Sequence, residues 1–183
     1  MPSDCQGHRV FENPEISLDE LPSADDVEWR SLAARYVRRL QVQSLITATV
    51  AVIGVVVLQA APLPITQRWL FGLAWLLIGI NGVSGLLWPL VSVPHKGYAI
   101  RDKDILYRSG VFWRTVTAVP FNRVQHVETS STPLDRYFRL AALQLFTAGG
   151  SGGDLKIYGV PADVAESLRL FILEKAGASI ERS

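Results

Sequence analysis

The chain has 183 residues, a formal net charge of +1 and a composition that is 49% hydrophobic. A charge so close to zero gives no global field that attracts nucleic acid, and we expect no nucleic-acid partner. The single cysteine, Cys5, excludes an intramolecular disulfide and gives no sign of an oxidising compartment.

The N-terminal region is acidic and the segment after it is basic. Residues 1–29 hold eight acidic residues and one basic residue, whereas residues 30–39 hold four arginines and no acid. We interpret residues 1–22, which include three prolines, as an acidic disordered tail.

An amphipathic lead-in helix is predicted over residues 23–43. It begins at Ser23 and places Trp29, Tyr36 and other apolar residues near one stripe, with the arginines outside it. Such a helix either lies on an anionic inner leaflet or packs on the domain that follows.

Two long windows, residues 40–67 and 69–95, contain no Asp, Glu, Lys or Arg. A helix needs about 20 apolar residues to cross a hydrocarbon core about 30 Å thick. We therefore predict transmembrane helices over residues 44–61 and 69–93. The alternative, two buried helices of a soluble protein, requires more surrounding chain than this sequence has.

The short linker between the spans predicts a helical hairpin. Basic residues flank both outer ends of the hairpin, and positive residues stay on the cytoplasmic side. We expect a multi-pass protein of the bacterial inner membrane, with both termini and the downstream domain in the cytoplasm. Small residues around Asn81 (Gly79, Gly82, Ser84 and Gly85) favour helix packing and oligomer contacts over a pore.

Residues 97–177 are predicted to form a mainly β domain. Short runs rich in Val, Ile, Thr and aromatic residues alternate with turn residues, and a helix follows from Pro161 to Gly177. About six strands and one helix indicate a curved antiparallel sheet or small barrel, with the helix closing one end.

The domain resembles a known family. Four features carry the resemblance: Gly110 after a strand, "VPFNRVQHV" (119–127), "STPLDRYFRLAALQLFTAGG" (131–150) and "YGVPADVAESLR" (158–169). Together they resemble the bacterial pleckstrin-homology-like domain (bPH2, formerly DUF304). Two spans before such a domain are similar to the YdbS-like membrane proteins. Arg139 stands where the common motif has glycine, and Val124 where it has isoleucine. The resemblance implies a strand barrel with a C-terminal helix, oligomerisation, and often a companion membrane protein with repeated copies of the domain. It implies no known reaction.

The stretch "TAGGSGGDLKIYG" (147–159) raises the question of a phosphate-binding loop. Such a loop needs its amides at the start of a helix and a lysine beside them. Here a strand follows and the glycines do not end in the GK[ST] pattern that supplies this lysine, so we interpret the glycines as a hairpin tip.

No catalytic, cofactor-binding or metal-binding residue is predicted. The three histidines are far apart, and none has a Cys or carboxylate at ligand spacing. His126 alternates with Val124 along a strand, so we expect it to be partly buried and hydrogen-bonded.

Basic and aromatic residues of the domain are the candidate contacts for lipid or partner. Basic side chains near an anionic leaflet contribute about 1 kcal/mol each, and aromatic rings favour the interface. The alternative is a solvated surface with the two aromatic residues in the core. The candidates are Arg101, Lys103, Arg108, Phe112, Trp113, Arg114, Arg123, Arg136 and Arg139.

The leading functional prediction is a non-enzymatic membrane scaffold. It associates with copies of itself or with a related PH-domain membrane protein, in a role such as envelope stress or resistance to toxic peptides. The alternative is a sensor of anionic lipid head groups that uses the basic face.

Overall fold

The computed structural model describes residues 27–61, 68–147 and 155–180. The predicted tail, the span linker and the tip of the glycine hairpin lie outside these ranges. In chain order the elements are β1 (Arg30–Ser31), α1 (Ala34–Ala60), α2 (Arg68–Ser92), β2 (Gly97–Ile100), β3 (Asp104–Ser109), β4 (Thr115–Pro120), a 3₁₀ turn (Phe121–Arg123), β5 (Val124–Ser130), α3 (Pro133–Tyr137), β6 (Leu140–Thr147), β7 (Leu155–Pro161) and α4 (Ala162–Ile180). The predicted fold class, two apolar helices followed by a mainly β domain with a C-terminal helix, is confirmed.

Helices α1 and α2 are both long and apolar enough to cross a membrane. The most apolar stretch of each has no buried residue, so these side chains require an apolar solvent around them. The helices approach closely where Gly85 faces Ser44, because a Cβ on Gly85 would overlap the serine side chain. Gly79 and Gly82 have open space around them, so only part of the predicted small-residue surface lies between the helices.

The segment before the hairpin differs from the predicted lead-in helix over residues 23–43. Helix α1 begins only at Ala34, and Arg30 and Ser31 form a strand that pairs with Tyr98 and Gly97 of β2. The cause is tertiary: β2 offers an open edge, and hydrogen bonds along it outweigh the helix propensity of these few residues. Residues 23–26 of this prediction lie outside the described ranges, and the described part, residues 27–43, holds strand β1 and the first turns of α1.

The domain consists of two antiparallel sheets around one apolar core. The first sheet has the strand order β1-β2-β3-β4 and the second β5-β6-β7. Helix α4 packs on the second sheet and the 3₁₀ turn, and contributes Leu168 and Ile172 to the core. Leu32 and Tyr36 belong to the same core, so the domain begins before the hairpin instead of at residue 97.

Tyr36 and Gly159 fix the start of α1 on strand β7. Gly159 has a φ of +74°, and a Cβ there would lie 2.4 Å from Cγ of Tyr36. Glycine alone accommodates both this left-handed backbone and a ring at that distance. The Ala33 amide, one step before α1, donates a hydrogen bond of 3.2 Å to the Gly159 carbonyl. The base of the hairpin is thus built into the domain.

Two local predictions about the domain are wrong. Gly177 does not end α4, which continues to Ile180, because Gly177 lacks the left-handed backbone typical of a helix stop. His126 is exposed instead of partly buried. A register shift between Val124 and His126 breaks the alternation of the strand and turns His126 away from the core.

Removing the hairpin tests where the domain begins. If a short Gly/Ser linker replaces residues 44–92, the protein keeps β1, Leu32 and Tyr36, and we expect it to be soluble and to unfold cooperatively. A fragment of residues 96–183 lacks all three, and we expect it to lose most of its stability, because losing one buried aromatic side chain costs about 3–5 kcal/mol. Circular dichroism melting and hydrogen exchange measure both proteins. Equal stability of the two would contradict a domain that starts before the hairpin.

Candidate functional site

The domain has two ends, which we define by the attachment of the hairpin. Helix α2 ends at Ser92 and leads into β2 at Gly97, and we call this end of the sheets the proximal end. The β3–β4 turn returns to the proximal end, whereas the β2–β3 turn lies at the opposite, distal end. At about 3.3 Å per residue, the strand β3 separates the two ends by about 20 Å.

Phe112 and Trp113 form an exposed aromatic turn at the proximal end. They are 78% and 86% exposed, so the alternative that places them in the core is wrong. The Phe112 ring lies 6.1 Å from the ring of Trp88 in α2. Gly110 permits this turn, because its φ is +109° and a Cβ there would overlap the Trp113 carbonyl. The turn extends the apolar surface of α2 onto the domain.

The basic candidates do not form one face. Arg101 and Lys103 lie in the distal β2–β3 turn, and Arg123 lies beside them, since the Phe121 amide donates to the Lys103 carbonyl over 3.0 Å. Arg114 directly follows Trp113 at the proximal end. A bilayer that meets the proximal end would therefore lie about one strand length away from the distal three.

Arg108 belongs to the packing of the first sheet. It is half-buried, and its guanidinium carbon lies 4.7 Å from the centroid of the Trp29 ring. This cation–π contact links β3 to the residue just before β1. The sequence pattern missed it because Trp29 was assigned to a helix.

Arg136 and Arg139 lie together at the connection from α3 to β6. Both side chains are exposed. Arg139 has a φ of +52°, the one left-handed non-glycine residue in the described ranges. This conformation costs an L-residue about 1–2 kcal/mol. The backbone holds it there, because its amide donates to the Arg136 carbonyl over 3.0 Å and its carbonyl accepts from the Ala162 amide over 3.2 Å.

An ion pair joins the base of α1 to α3. Nε of Arg39 donates to Oδ1 of Asp135 over 2.7 Å, and the side chains are only 14% and 15% exposed. Asp135 also closes a capping box with Thr132 at the start of α3. Burial alone would raise the pKa of Asp135, but the hydrogen bonds from Thr132 and Arg39 outweigh it and hold the pKa below its ordinary value.

Sequence reasoning did not find this pair. The arginines before the first span were read only as a positive flank, and a basic flank looks the same whether its side chains face lipid or protein. The "TPLD" capping pattern was the available signal that Asp135 is held in place.

Strand β4 forms an open sheet edge. Within the described part of the chain it pairs with β3 alone. Residues 115–118 are exposed on both faces of the strand, and Val116 is 54% exposed. Its outward backbone groups are therefore available to another strand.

Among residues 27–61, 68–147 and 155–180, no three His, Cys, Asp or Glu side chains lie together in a way that could hold a metal ion. The exposed His126 packs against Phe146, with ring centroids 5.7 Å apart. The expected lack of catalytic, cofactor and metal residues stays a prediction.

Comparison with known proteins identifies relatives of the chain. The family model described as Bacterial PH domain matches residues 45–176. UPF0699 transmembrane protein YdbS of Bacillus subtilis (strain 168) is 35% identical over 103 residues, which cover 50% of this chain and 61% of that protein. The crystal structure of a DUF1696 family protein with a pleckstrin-homology domain, from Shewanella loihica PV-4, aligns at 14% identity and a TM-score of 0.37, covering 52% of this chain and 92% of that one.

Replacing Asp135 with asparagine tests the ion pair. A carboxyl whose folded pKa is lowered stabilises the fold above its unfolded pKa of about 3.9, and the contribution is lost as pH falls through the lower folded value. We expect Asp135→Asn to be about 1 kcal/mol less stable at pH 7, because water partly screens the pair.

Denaturant unfolding in detergent at pH 7 and in steps down to pH 2 measures the difference, which should shrink at the acid end. Glu174→Gln, which removes an exposed carboxylate of α4, is the control and should change little. A stability difference that stays constant with pH would contradict a charged Asp135.

Proposed function

The chain belongs to the bacterial PH domain family as a membrane-associated protein of the YdbS type, and on that premise we propose that it is a non-enzymatic docking module tethered to the inner membrane. In this proposal the hairpin crosses the membrane twice and holds the domain at its cytoplasmic face. The domain binds another PH-like domain, either in a second copy of this chain or in a related membrane protein.

The observation that carries this proposal is the open edge of β4. Exposed, unpaired edges invite a further strand, and natural proteins usually cover or charge them. Residues 115–118 carry no charge, and Val116 adds an exposed apolar side chain. Addition of a strand from a neighbouring domain would satisfy the backbone groups and cover this side chain.

The geometry favours a partner in the same membrane. Strand β4 starts directly after the proximal aromatic turn and runs away from the hairpin. A second domain held at the same distance from the membrane can therefore pair along the whole length of β4. Antiparallel pairing of two β4 strands about a two-fold axis would give a self-complementary contact, the commonest form of dimer.

The cytoplasmic orientation is part of the proposal. Arg35 and Arg38 in the first turns of α1, and Lys96 after α2, lie at the same end of the hairpin. Positive residues beside spans favour the cytoplasmic side, which supports a cytoplasmic position of the domain.

A second candidate function is the recognition of anionic head groups at the proximal end. The exposed rings of Phe112 and Trp113, next to Trp88, carry this candidate, with Arg114 supplying a positive charge. It uses only the proximal part of the predicted basic set.

A charge placed on the edge strand tests docking. Val116 lies opposite Arg108 in the sheet, so Val116→Glu creates an opposite-charge pair inside the domain and should leave folding intact. The same charge opposes strand addition, and we expect the cross-linked or co-purified complex to fall by about tenfold. Leu170→Glu, at a site of α4 that is 57% exposed, is the matched control.

Chemical cross-linking in native membranes and native mass spectrometry in mild detergent give the readout. A wild-type protein that is strictly monomeric, with no membrane partner, would contradict the docking function. An equal loss of complex in Leu170→Glu would contradict the role of β4.

Cysteine labelling tests the head-group candidate. In a Cys5→Ser background, Trp113→Cys marks the aromatic turn and Lys103→Cys marks the distal turn. We expect a membrane-impermeant maleimide to label position 113 several-fold more slowly when the full-length protein is reconstituted with anionic lipid than with neutral lipid. Position 103 should react equally in both. Equal rates at position 113 in the two bilayers would contradict head-group recognition.

A further inference from the structure

A cavity of about 500 Å³ lies where α1, α3 and α4 meet at the proximal part of the domain. Its lining includes Arg35 from the first turn of α1, Arg136 from α3 and Arg139 from the following connection. Asp163, at the start of α4, is its one acidic lining residue. The fold thus brings Arg35 to the same cavity as Arg136 and Arg139, which lie about 100 residues later in the chain.

Three positive charges face one negative charge, that of Asp163, in the lining of this cavity. In the described ranges none of them forms an ion pair, while Arg39, one helical turn from Arg35, is paired with Asp135. Like charges around one cavity repel each other, and this repulsion is relieved when an anion enters between them. The lining therefore carries a formal excess of positive charge, which favours an anion over a neutral or cationic ligand.

Arg139 occupies its place against the preference of its backbone. Its φ of +52° suits glycine, and two backbone hydrogen bonds, to Arg136 and from Ala162, impose it. Glycine would satisfy the same hydrogen bonds without strain. The arginine side chain contributes nothing to the described core that would offset this strain, but it does bring a third guanidinium group to the cavity.

The donors select the chemistry of the ligand. A guanidinium group offers parallel N–H donors that match the oxygens of a phosphate group two at a time. Three such groups offer more donors than one carboxylate can accept, whereas a phosphate group has three or four oxygens around one centre. A cavity of this size also holds a small group attached to the phosphate.

The position of the cavity selects a soluble ligand. Arg35 precedes Leu45, where the long apolar run begins, by ten residues, or about 15 Å along the helix. The head-group layer on each side of a bilayer is only about 5–7 Å thick. The cavity therefore opens to the aqueous phase beneath the head groups.

We propose that the cavity between α1, α3 and α4 binds the phosphate group of a soluble phosphorylated compound through Arg35, Arg136 and Arg139. This site lies apart from the β4 edge, and it does not depend on the docking function.

Arg139→Gly is the decisive variant because binding and stability should move in opposite directions. The full-length protein in nanodiscs of neutral lipid is titrated with inorganic phosphate and with pyrophosphate, by calorimetry and by thermal shift. We expect the wild type to bind and Arg139→Gly to bind at least tenfold more weakly. Without phosphate, the melting temperature of Arg139→Gly should rise by about 4 °C, because strain and repulsion are both relieved.

Two further variants complete the test. Arg136→Gln should weaken phosphate binding with no change in backbone strain, and Arg38→Gln, an exposed arginine of α1 outside the cavity, should bind like the wild type. Wild-type protein that binds neither anion at millimolar concentration would overturn the proposal. So would unchanged affinity in Arg136→Gln and Arg139→Gly. A thermal shift that requires anionic lipid in the nanodisc, and not added phosphate, would overturn the soluble source.

Discussion

The pairing of β1 with β2 is the contact on which the rest of the molecule depends. It joins the chain just before the hairpin to the chain just after it, with Arg30 opposite Tyr98 and Ser31 opposite Gly97. Two further contacts attach the start of α1 to the domain: the Tyr36 ring packs on Gly159 of β7, and Arg39 forms an ion pair with Asp135 of α3. The hairpin is therefore an insertion within the domain, anchored at both of its ends, and not a separate module on a linker.

An anchor at both ends fixes the domain relative to the helices. The aromatic turn of Phe112 and Trp113 is held beside Trp88, and the β4 edge starts at that same level. A domain on a flexible linker would present these surfaces in every direction. Here their height above the hairpin is set by the fold, which suits contacts between neighbours in one membrane.

The sequence predicted the spans, the strands of the domain and the closing helix because each has its own local pattern. Charge-free windows mark the spans, and runs of Val, Ile and Thr separated by turn residues mark the strands.

The features that the sequence did not predict depend on contacts between distant segments. Strand β1 has only two residues and no pattern of its own, and it exists because β2 has a free edge. The exposure of His126 follows from a register shift against β6. Arg35 lies near Arg136 and Arg139 because α1 packs on α3. In the sequence these arginines lie in two separate regions, and no local pattern predicts that they share one cavity.

The insertion of the hairpin also sets an order of events during synthesis. Strand β1 leaves the ribosome before either span, but its partner β2 leaves after both. The first sheet and the core around Tyr36 therefore cannot be completed until both helices have been synthesised. Until β2 emerges, Leu32 and Tyr36 lack the partners that bury them in the finished domain, and a chain stopped at that stage exposes both side chains to the proteases that remove unfolded protein.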